Sequence, residues 1–287
     1  MKNILITGSS GFLGNHISLY LSKKNNIFTF DRQIQKRKVK NLKSFVYPKN
    51  IKDYVAFFKK KKINIVIHNA GYFVKDHKVS DINKLIDVDI KKTLYLFEAS
   101  KFANVKNIIS FGSYYQFCSF DAKFSPVNLY ACTKQTIFTV AQHYLNNHNI
   151  SHLQLILFDT YGKNDKRKKI INTLLKINKR QKIIITSPNS KMYPLYIEDV
   201  CTAVNHAIKY MFGKKKPFNK QFSIKSSKSI KVSELVNKIS KIRKINLKNF
   251  LTYKKEINNK KMIISKIARL PFWKPKYKFS EGIIKLK

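Results

Sequence analysis

A tyrosine and a lysine stand four positions apart in the stretch YACTK, at Tyr130 and Lys134. On a helix this spacing places two side chains on one face, one turn apart. A lysine ammonium beside a phenol favours the phenolate and lowers the tyrosine pKa from about 10 toward neutrality. Such a phenol suits a general acid that donates a proton to a carbonyl oxygen, or a base in the reverse direction. The spacing alone also fits a half-buried aromatic residue beside a solvated charge.

Ser113 is the second candidate, in the stretch SFGSYYQF at residues 110–117. It follows an apolar run, residues 106–112, that predicts a buried strand. Ligands of open α/β sheets bind outside the carboxyl ends of the strands, where this hydroxyl could polarise the same carbonyl oxygen. The alternative is an ordinary serine in a turn. Ser113 joins Tyr130 and Lys134 as a predicted catalytic set only if the chain also binds a hydride carrier.

Gly8, Gly11 and Gly14 lie in the stretch ITGSSGFLG, directly after the first apolar run. Their GxxGxxG spacing differs from the common GxGxxG fingerprint but meets the same needs. Gly8 allows a tight turn, Gly11 lets a phosphate approach the backbone, and Gly14 lets helix and strand pack closely. The N-terminus of the next helix would face the pyrophosphate with free amides and a positive dipole end. The stretch therefore predicts a dinucleotide-binding loop.

Asp31 lies 23 positions after Gly8, at the end of the second apolar run. A carboxylate there can hold the hydroxyls of an adenosine ribose. Arg32 follows immediately, and an arginine can pair with the 2′-phosphate that an aspartate repels. We therefore expect NAD or NADP as the cofactor and leave the choice between them open.

Apolar runs alternate with helical patterns over the first 160 residues. Such alternation predicts an α/β fold, a Rossmann-type doubly wound parallel sheet with right-handed crossovers. We predict an NAD(P)-binding domain at 1–160 and a smaller C-terminal α/β part, which binds substrate, at 161–287. The predicted strands are 3–8, 27–30, 44–47, 63–68, 106–112 and 152–159, and the predicted helices include 12–24, 51–61 and 81–103.

Length and composition narrow the class of protein. The chain has 287 residues, 44% of them apolar, which indicates a globular protein. It contains no apolar run long enough for a membrane span, and the short apolar core at its start leads us to expect no signal peptide. Its cysteines, Cys118, Cys132 and Cys201, are unevenly spaced and favour a reducing cytoplasm over a disulfide frame. Neither they nor the histidines show a metal-ligand spacing, so we expect no metal.

The formal net charge is +43, and both halves of the chain contribute to it. Residues 1–150 carry 24 lysines and arginines against 8 acids, and the remainder carries 34 against 7. Lysine clusters can bind nucleic acid or anionic lipid. Here the excess positive charge is scattered along the chain and forms no single stripe, as a binding surface for double-stranded nucleic acid would require. We favour compositional drift and expect no specific nucleic-acid partner.

Several motifs occur in the order found in the extended short-chain dehydrogenase/reductases that act on nucleotide sugars, the NAD-dependent epimerase/dehydratase family. TGSSGFLG resembles the family's TGxxGFxG, IHNAG (67–71) its segment after the fourth strand, and YACTK its YxxxK. LFDTYGKND (157–165), YIEDVCTAV (196–204) and FWKPKYKFSEGI are similar to later family segments, so the resemblance covers nearly the whole chain.

Three stretches, FGSYYQF, SPVNLYACTKQ and LFDTYGKND, look most like the bacterial CDP-abequose and CDP-paratose synthases. The resemblance implies an NADPH-dependent reductase of a CDP-4-keto-3,6-dideoxyhexose, which supplies a sugar for the O-antigen of lipopolysaccharide. The related 4,6-dehydratases carry an Asp-Glu pair after the catalytic Ser or Thr. Tyr114 and Tyr115 stand there and cannot act as that acid–base pair, which disfavours a dehydratase.

The resemblance also implies a role for individual residues. Ser113, Tyr130 and Lys134 match the catalytic positions. For Arg167, a guanidinium can grip a substrate phosphate through two hydrogen bonds, although a solvated charge fits the stretch KRKK equally well. The implied cofactor-binding residues are Gly8, Ser10, Gly11, Phe12, Leu13, Gly14, Asp31, Arg32, Asn69, Ala70, Gly71, Tyr130, Lys134 and Phe158. The implied substrate-binding residues are Tyr72, Tyr114, Asp159 and Arg167.

Four positions depart from the family pattern. Asp89 and Lys92 replace an asparagine and a glycine in the NVxGT motif, and Asp159 replaces a substrate-contacting asparagine of epimerases. The acid expected near the adenine after the third strand is missing unless Asp53 reaches back. These departures affect the expected substrate more than the expected fold.

Three functions remain open on the sequence. The first is an NAD(P)-dependent reductase of a 4-keto nucleotide sugar, in which Tyr130 donates the proton. The second is a nucleotide-sugar 4-epimerase, which uses the same three residues and a retained NAD. The third is a catalytically idle NAD(P)-binding protein, against which the intact Ser113, Tyr130 and Lys134 count. The family often dimerises through two helices, so a homodimer through the helix that bears Tyr130 is also expected.

Overall fold

The computed structural model describes residues 1–117, 124–177, 182–185, 187–247, 251–253 and 267–286. Cys118, named above, lies outside these residues. The described strands are β1 Asn3–Thr7, β2 Asn26–Asp31, β3 Leu42–Val46, β4 Ile65–His68, β5 Asn107–Ser113, β6 Ser151–Leu157, β7 Thr160–Tyr161, β8 Ile183–Ile185, β9 Lys191–Met192, β10 Leu195–Tyr196, β11 Asn219–Ile224, β12 Ile230–Lys231 and β13 Leu251–Tyr253.

The described α-helices lie between these strands and after them. A six-residue π-helical segment, Ile86–Lys91, joins the third helix to the fourth. Among these residues no helix is long and apolar enough to cross a membrane. The helices are α1 Phe12–Ser22, α2 Ile51–Lys60, α3 Ile82–Leu85, α4 Lys92–Phe102, α5 Leu129–His148, α6 Ile170–Lys176, α7 Ile197–Phe212, α8 Val232–Arg243 and α9 Phe279–Ile284.

The central sheet has seven described strands in the order β3-β2-β1-β4-β5-β6-β11, and every pair in it is parallel. The order reverses between β1 and β4, so the carboxyl ends of these strands open a crevice at that point. The predicted α/β fold and all six predicted strands are confirmed, with bounds shifted by a few residues. The sequence pattern did not predict the seventh strand, β11.

β11 follows residue 160 in the chain, yet it pairs along its whole length with β6. The later residues thus complete the sheet that the earlier ones begin. The division into parts at 1–160 and 161–287 stays a prediction. Shorter pairs of strands, β7 with β10, β9 with β12 and β8 with β13, make up the rest of the described β structure.

Both faces of the sheet are covered, which explains why the strands are mainly apolar rather than alternating between apolar and polar residues. In β1, Ile4 and Ile6 pack into the cluster that contains residues of α1 and α7, whereas Leu5 packs into the one with α2, α4 and α5. All three side chains are fully buried. The alternation fixes which helices lie on which face of the sheet.

Helix α5 carries two of the predicted catalytic residues, and its first turn is held by a side-chain cap. The Asn128 side-chain oxygen accepts a hydrogen bond from the Ala131 amide at 3.0 Å. At the other end, Asn149 adopts a left-handed conformation with φ of 54°, which stops the helix. Tyr130 therefore lies in the first turn, at the end of the helix that faces the carboxyl edge of the sheet.

Candidate active site

The glycine loop connects β1 to α1 with the geometry that the sequence predicts. Gly8 has φ of +70°, and a Cβ there would lie 2.8 Å from Ala70 Cα. A Cβ on Gly14 would lie 2.2 Å from the Gly8 carbonyl oxygen. At Gly11 a Cβ would find only that oxygen, at an ordinary 3.4 Å. The fold therefore requires Gly8 and Gly14, whereas Gly11 leaves open space where a phosphate is expected.

The N-terminus of α1 is suited to an anion. No side chain caps Gly11, and the described first turn contains no acidic residue, so its amides and dipole are not neutralised. The predicted residues Ser10, Phe12 and Leu13 lie in this loop and turn. These features fit the pyrophosphate of a dinucleotide.

Asp31 ends β2 beside this loop and is 1% exposed. Its two oxygens accept hydrogen bonds from the Ser9 hydroxyl at 2.5 Å and the Ser10 amide at 2.8 Å. Arg37 Nη2 donates to the Ser9 carbonyl oxygen at 2.7 Å, and its Nη1 reaches the Ser9 hydroxyl. Arg32, by contrast, is exposed. The arginine at this acid is Arg37, which sequence reasoning missed because it lies in the aperiodic, basic stretch QKRKVK.

The segment Asn69–Gly71 lies after β4, against the glycine loop. The amides of Asn69 and Ala70 each donate to Thr7 Oγ1 at 3.1 Å, and Asn69 Nδ2 donates to the Gly8 carbonyl oxygen at 3.1 Å. A Cβ on Gly71 would lie 2.5 Å from Lys134 Nζ. The glycine at position 71 therefore leaves room for the lysine.

Lys134 is 4% exposed and forms an ion pair with Asp89, which is fully buried. Its Nζ donates to Asp89 Oδ1 at 2.9 Å and to the Ala70 carbonyl oxygen at 3.4 Å. Burial is the largest single effect and lowers the pKa of Lys134, but Asp89 and Tyr130 together outweigh it, so the pKa is raised. The Lys134 ammonium is thus held protonated and in place.

Asp89 lies in the π-helical segment, where a widened turn is often found at functional sites. Its Oδ2 accepts from the Thr133 hydroxyl at 3.0 Å, and its carbonyl oxygen accepts from the Thr93 hydroxyl at 2.6 Å. His68 Nε2 lies 3.0 Å from the same Thr93 hydroxyl, and His68 Nδ1 lies 2.8 Å from the Thr7 hydroxyl. A hydrogen-bonded chain therefore runs from β1 to the ion pair.

The protons in this chain can be assigned from its acceptors. Thr7 Oγ1 already accepts two amides, so its own hydrogen goes to His68 Nδ1, and His68 Nε2–H donates to Thr93. Burial, followed by the charge of Lys134, lowers the pKa of His68 to about 3. The imidazole is therefore neutral, and it serves to connect the chain rather than to exchange protons.

Tyr130 lies on the same helical face, with Lys134 Nζ 5.6 Å from the centroid of its ring. Burial raises the pKa of the Tyr130 phenol; Lys134 and Arg167 pull it down, and Asp89 and Tyr115 add to the rise. The expected lowering toward neutrality is wrong in this structure, because burial of the phenol, together with Asp89 and Tyr115, outweighs the charges of Lys134 and Arg167. The phenol keeps its proton at neutral pH.

Ser113 ends β5, next to the other candidates. Its hydroxyl oxygen accepts from the Tyr115 amide at 3.3 Å, and its own amide donates to Gln116 Oε1 at 2.8 Å. The ring of Phe73 packs against both Tyr115, at 6.5 Å, and Tyr130, at 5.1 Å between centroids. The structure therefore brings Ser113 and Tyr130 to one mouth at the carboxyl edge of the sheet.

The predicted residues Tyr114, Phe158 and Asp159 meet at the ends of β5 and β6. The ring of Phe158, which was expected at the cofactor, is buried and stacks on Tyr114 at 5.2 Å. Asp159 accepts from the Tyr193 amide at 3.0 Å and from the Tyr114 hydroxyl at 3.4 Å. Burial raises the pKa of Asp159. Tyr193 is a member of this cluster that sequence reasoning missed.

Tyr72 and Arg167, both expected at the substrate, already have protein partners. The Tyr72 hydroxyl donates to Asp81 Oδ1 at 2.7 Å. Arg167 Nε and Nη2 donate to Asp165 at 2.8 and 2.7 Å, and the guanidinium lies 4.4 Å from the centre of the Phe12 ring. Arg167 therefore braces the loop over α1, and only its Nη1 is left without a described partner. Its predicted contact with a substrate phosphate stays a prediction.

Three further residues could not be singled out from the sequence. Asp89 was noted only as a departure, because its partner Lys134 lies 45 positions away. Lys169 lies near Arg167 and two aspartates. Burial and the charge of Arg167, opposed by Asp159 and Asp165, lower the pKa of Lys169 to about 8. Lys225 follows β11 and is buried. Nothing distinguishes these two lysines from their many neighbours in sequence.

Comparison with known proteins places this geometry in a family. The sequence profile of the NAD dependent epimerase/dehydratase family matches residues 4–219. A CDP-abequose synthase from Yersinia pseudotuberculosis is 27% identical over 250 residues, which cover 85% of this chain and 86% of that protein. A dTDP-D-glucose 4,6-dehydratase from Dictyostelium discoideum is 27% identical over 237 residues, 71% of this chain and 54% of that one.

Solved structures agree on the fold. MoeE5 in complex with UDP-glucuronic acid and NAD superposes with a TM-score of 0.82 at 17% identity, over 99% of this chain and 97% of that one. UDP-glucose 4-epimerase from Thermotoga maritima gives 0.80 at 18% identity, over 99% and 97%. The Rossmann-type fold is thereby confirmed, and the family's NAD dependence confirms the predicted nicotinamide dinucleotide. This chain belongs to the NAD dependent epimerase/dehydratase family.

Proposed function

We propose that the chain is an NAD(P)H-dependent reductase of a 4-keto nucleotide sugar, of the kind that the CDP-abequose synthases among its relatives represent. The observation that carries the proposal is the state of Tyr130. Its phenol lies at the carboxyl edge of the sheet with a raised pKa, beside a lysine that is paired with Asp89. A phenol that keeps its proton is ready to donate one, which reduction of a carbonyl requires.

The site residues would share the work as follows. A bound reduced nicotinamide supplies the hydride. The Tyr130 hydroxyl gives its proton to the carbonyl oxygen, and the Ser113 hydroxyl donates a hydrogen bond to the same oxygen. Lys134, fixed by Asp89, lies next to the segment Asn69–Gly71 and can donate to a ribose hydroxyl. The glycine loop and the amides of α1 hold the pyrophosphate.

Epimerisation would begin with the opposite proton transfer, since a sugar hydroxyl must lose its proton to the tyrosine as hydride leaves. That step needs phenolate, which the burial of Tyr130 disfavours. The 4,6-dehydratase reaction has little support for a different reason, since Tyr114 and Tyr115 occupy the positions after Ser113.

The test is a reaction with purified protein. We expect stoichiometric loss of NADPH or NADH absorbance when CDP-4-keto-3,6-dideoxyglucose is added, with formation of the 4-hydroxy sugar. A panel with the 4-keto-6-deoxy sugars of dTDP and UDP would define the nucleotide. Tightly retained NAD, together with interconversion of 4-hydroxy epimers and no net oxidation of reduced cofactor, would contradict the proposal and favour an epimerase.

A further inference from the structure

Lys225 is the first residue after β11, at the carboxyl edge of the sheet. The register pairs Ile224 of β11 with Leu157 of β6, so Lys225 is level with Phe158 on the neighbouring strand. Phe158 stacks on Tyr114, the residue after Ser113. Lys225 therefore lies two aromatic contacts away from the candidate catalytic serine, on the side of the site away from the glycine loop.

The ammonium of Lys225 lies over two aromatic rings. Its Nζ is 4.8 Å from the ring centroid of Tyr193 and 5.1 Å from that of Phe158, and the residue is only 9% exposed. Among the described residues it has no hydrogen-bond acceptor and no carboxylate partner. Asp159 follows Phe158 in the chain, but its oxygens accept hydrogen bonds from the Tyr193 amide and the Tyr114 hydroxyl.

A second positive charge, on Arg269, adds to the uncompensated charge of Lys225. Arg269 faces Lys225, and burial followed by this positive charge lowers the pKa of Lys225. Arg269 Nη2 is held by the carbonyl oxygens of Ser226 and Ser227, at 3.1 and 3.4 Å, in the loop that follows Lys225. Two cations thus face one another with only backbone oxygens and aromatic faces around them in the described part of the chain.

Such an arrangement is costly unless an anion completes it. A buried charge is normally paired, because the desolvation of an isolated ion is expensive. This chain pairs Lys134 with Asp89 and Arg167 with Asp165. Aromatic faces attract a cation but carry no counter-charge. At Lys225 the missing counter-charge is therefore expected from a ligand.

We propose that Lys225 binds a phosphate of the diphosphate that links nucleoside and sugar in the substrate, with Tyr193 and Phe158 forming the apolar wall of this subsite. The inference rests on the proposed function for the class of substrate. It assigns the anion contact to Lys225 rather than to Arg167, whose guanidinium is already committed to Asp165. Arg269 supports the site as a second positive charge behind the lysine.

The experiment is calorimetric titration of the whole chain with CDP, UDP, cytidine and uridine. We expect wild-type protein to bind at least one diphosphate more tightly than its nucleoside. Lys225→Met should weaken diphosphate binding about 10- to 100-fold, the loss of one charge-assisted hydrogen bond, and leave nucleoside binding unchanged. Lys220→Met is the matched control, since Lys220 is an exposed lysine on the same strand, and it should bind as wild type does.

Two results would overturn the subsite. One is a Lys225→Met protein that binds CDP and UDP like wild type; the other is a wild-type protein that prefers neither diphosphate to its nucleoside. Lys225→Gln repeats the test if the methionine variant aggregates. A diphosphate affinity that depends on Lys225 without any reduction of keto sugars would leave the subsite standing and remove the reductase. If the protein reduced keto sugars while Lys225→Met and Lys220→Met both bound CDP and UDP like wild type, the reductase would stand and the Lys225 subsite would be wrong.

Discussion

The two buried lysines of the site differ in one respect, namely where their counter-charge comes from. Lys134 has Asp89 at 2.9 Å inside the protein, whereas Lys225 has two aromatic rings and, among the described residues, no carboxylate. A lysine that must stay charged and fixed through every turnover needs a permanent partner. A lysine that receives an anion and releases it again must not have one. The pairing of each lysine therefore indicates its task.

The first test of the difference between the two lysines removes the Tyr130 phenol, which lies beside Lys134. We expect Tyr130→Phe to lower turnover roughly 10²–10⁴-fold, the usual contribution of general acid catalysis, with cofactor and diphosphate affinities unchanged. Steady-state rates and calorimetric titration of the same preparation measure both quantities. Wild-type turnover in this variant would assign the proton to another group.

A second test breaks the internal pair. Asp89→Asn leaves Lys134 buried without its counter-charge, and we expect the free energy of unfolding at pH 7 to fall by about 3–5 kcal/mol. Denaturant titration measures this loss. Thr133→Ala is the control: it removes the hydroxyl that donates to the Asp89 carboxylate but leaves the ion pair intact, and it should cost about 1.5–3 kcal/mol.

The loss in Asp89→Asn should also depend on pH. In the variant, burial lowers the folded pKa of Lys134 below its unfolded value of about 10.4. The unfolded chain then binds more protons between those two values, so the stability of the variant rises with pH across that window. In the wild type the pKa is raised, so the stabilisation by Lys134 is complete below about 10.4 and is lost only above it. A deficit that stays constant from pH 7 to 10 would show that the pair is not what stabilises this region.

A third test changes the glycine loop at the predicted cofactor site without disturbing the fold. In Gly11→Val the side chain meets only the Gly8 carbonyl oxygen, so we expect little change in melting temperature. It fills the space reserved for the pyrophosphate, and NAD(P)H affinity should fall about 5- to 100-fold, as for an overpacked contact. Fluorescence titration with the reduced dinucleotide measures the effect. Unchanged affinity would remove the loop from the binding site.

The smallest expected effect is on the stability of Lys225→Met without ligand. Replacing an unpaired buried charge by a side chain of similar length should leave the free energy of unfolding unchanged or raise it by about 1 kcal/mol. Asp89→Asn should therefore destabilise the protein, whereas Lys225→Met should not. A destabilised Lys225→Met would mean that the ammonium has a protein partner, and the contrast between the two lysines would fail.

The sequence predicted those parts of the molecule that depend on neighbouring residues. Each of the six predicted strands is a mainly apolar run. The spacing of the three glycines alone predicts the tight turn, the space for a ligand and the close packing of helix on strand. Tyr130 and Lys134 share a helical turn, so their common face is a local property. These features need no knowledge of what packs against them.

The features that escaped prediction depend on distant residues. The pKa of Tyr130 rises mainly because the fold buries its phenol, and Asp89, which reaches Lys134 from another segment, adds to the rise. Arg37, not Arg32, reaches the glycine loop because the chain after β2 folds back over Ser9. Lys225 is one of many lysines until β11 places it beside Phe158. Only tertiary contacts distinguish these residues, because lysine and arginine are common throughout the chain.

The position of β11 in the sheet has a consequence for synthesis on the ribosome. The residues synthesised before residue 219 include six strands of the central sheet, and the last of these, β6, then has no neighbour on one side. An open edge of this kind can pair with another chain. The finished protein covers it with β11, and the segment around Arg269 then hydrogen-bonds to Ser223 on the outer side. We therefore expect a chain that stops shortly after β6 to aggregate, because it lacks the strand that covers this edge.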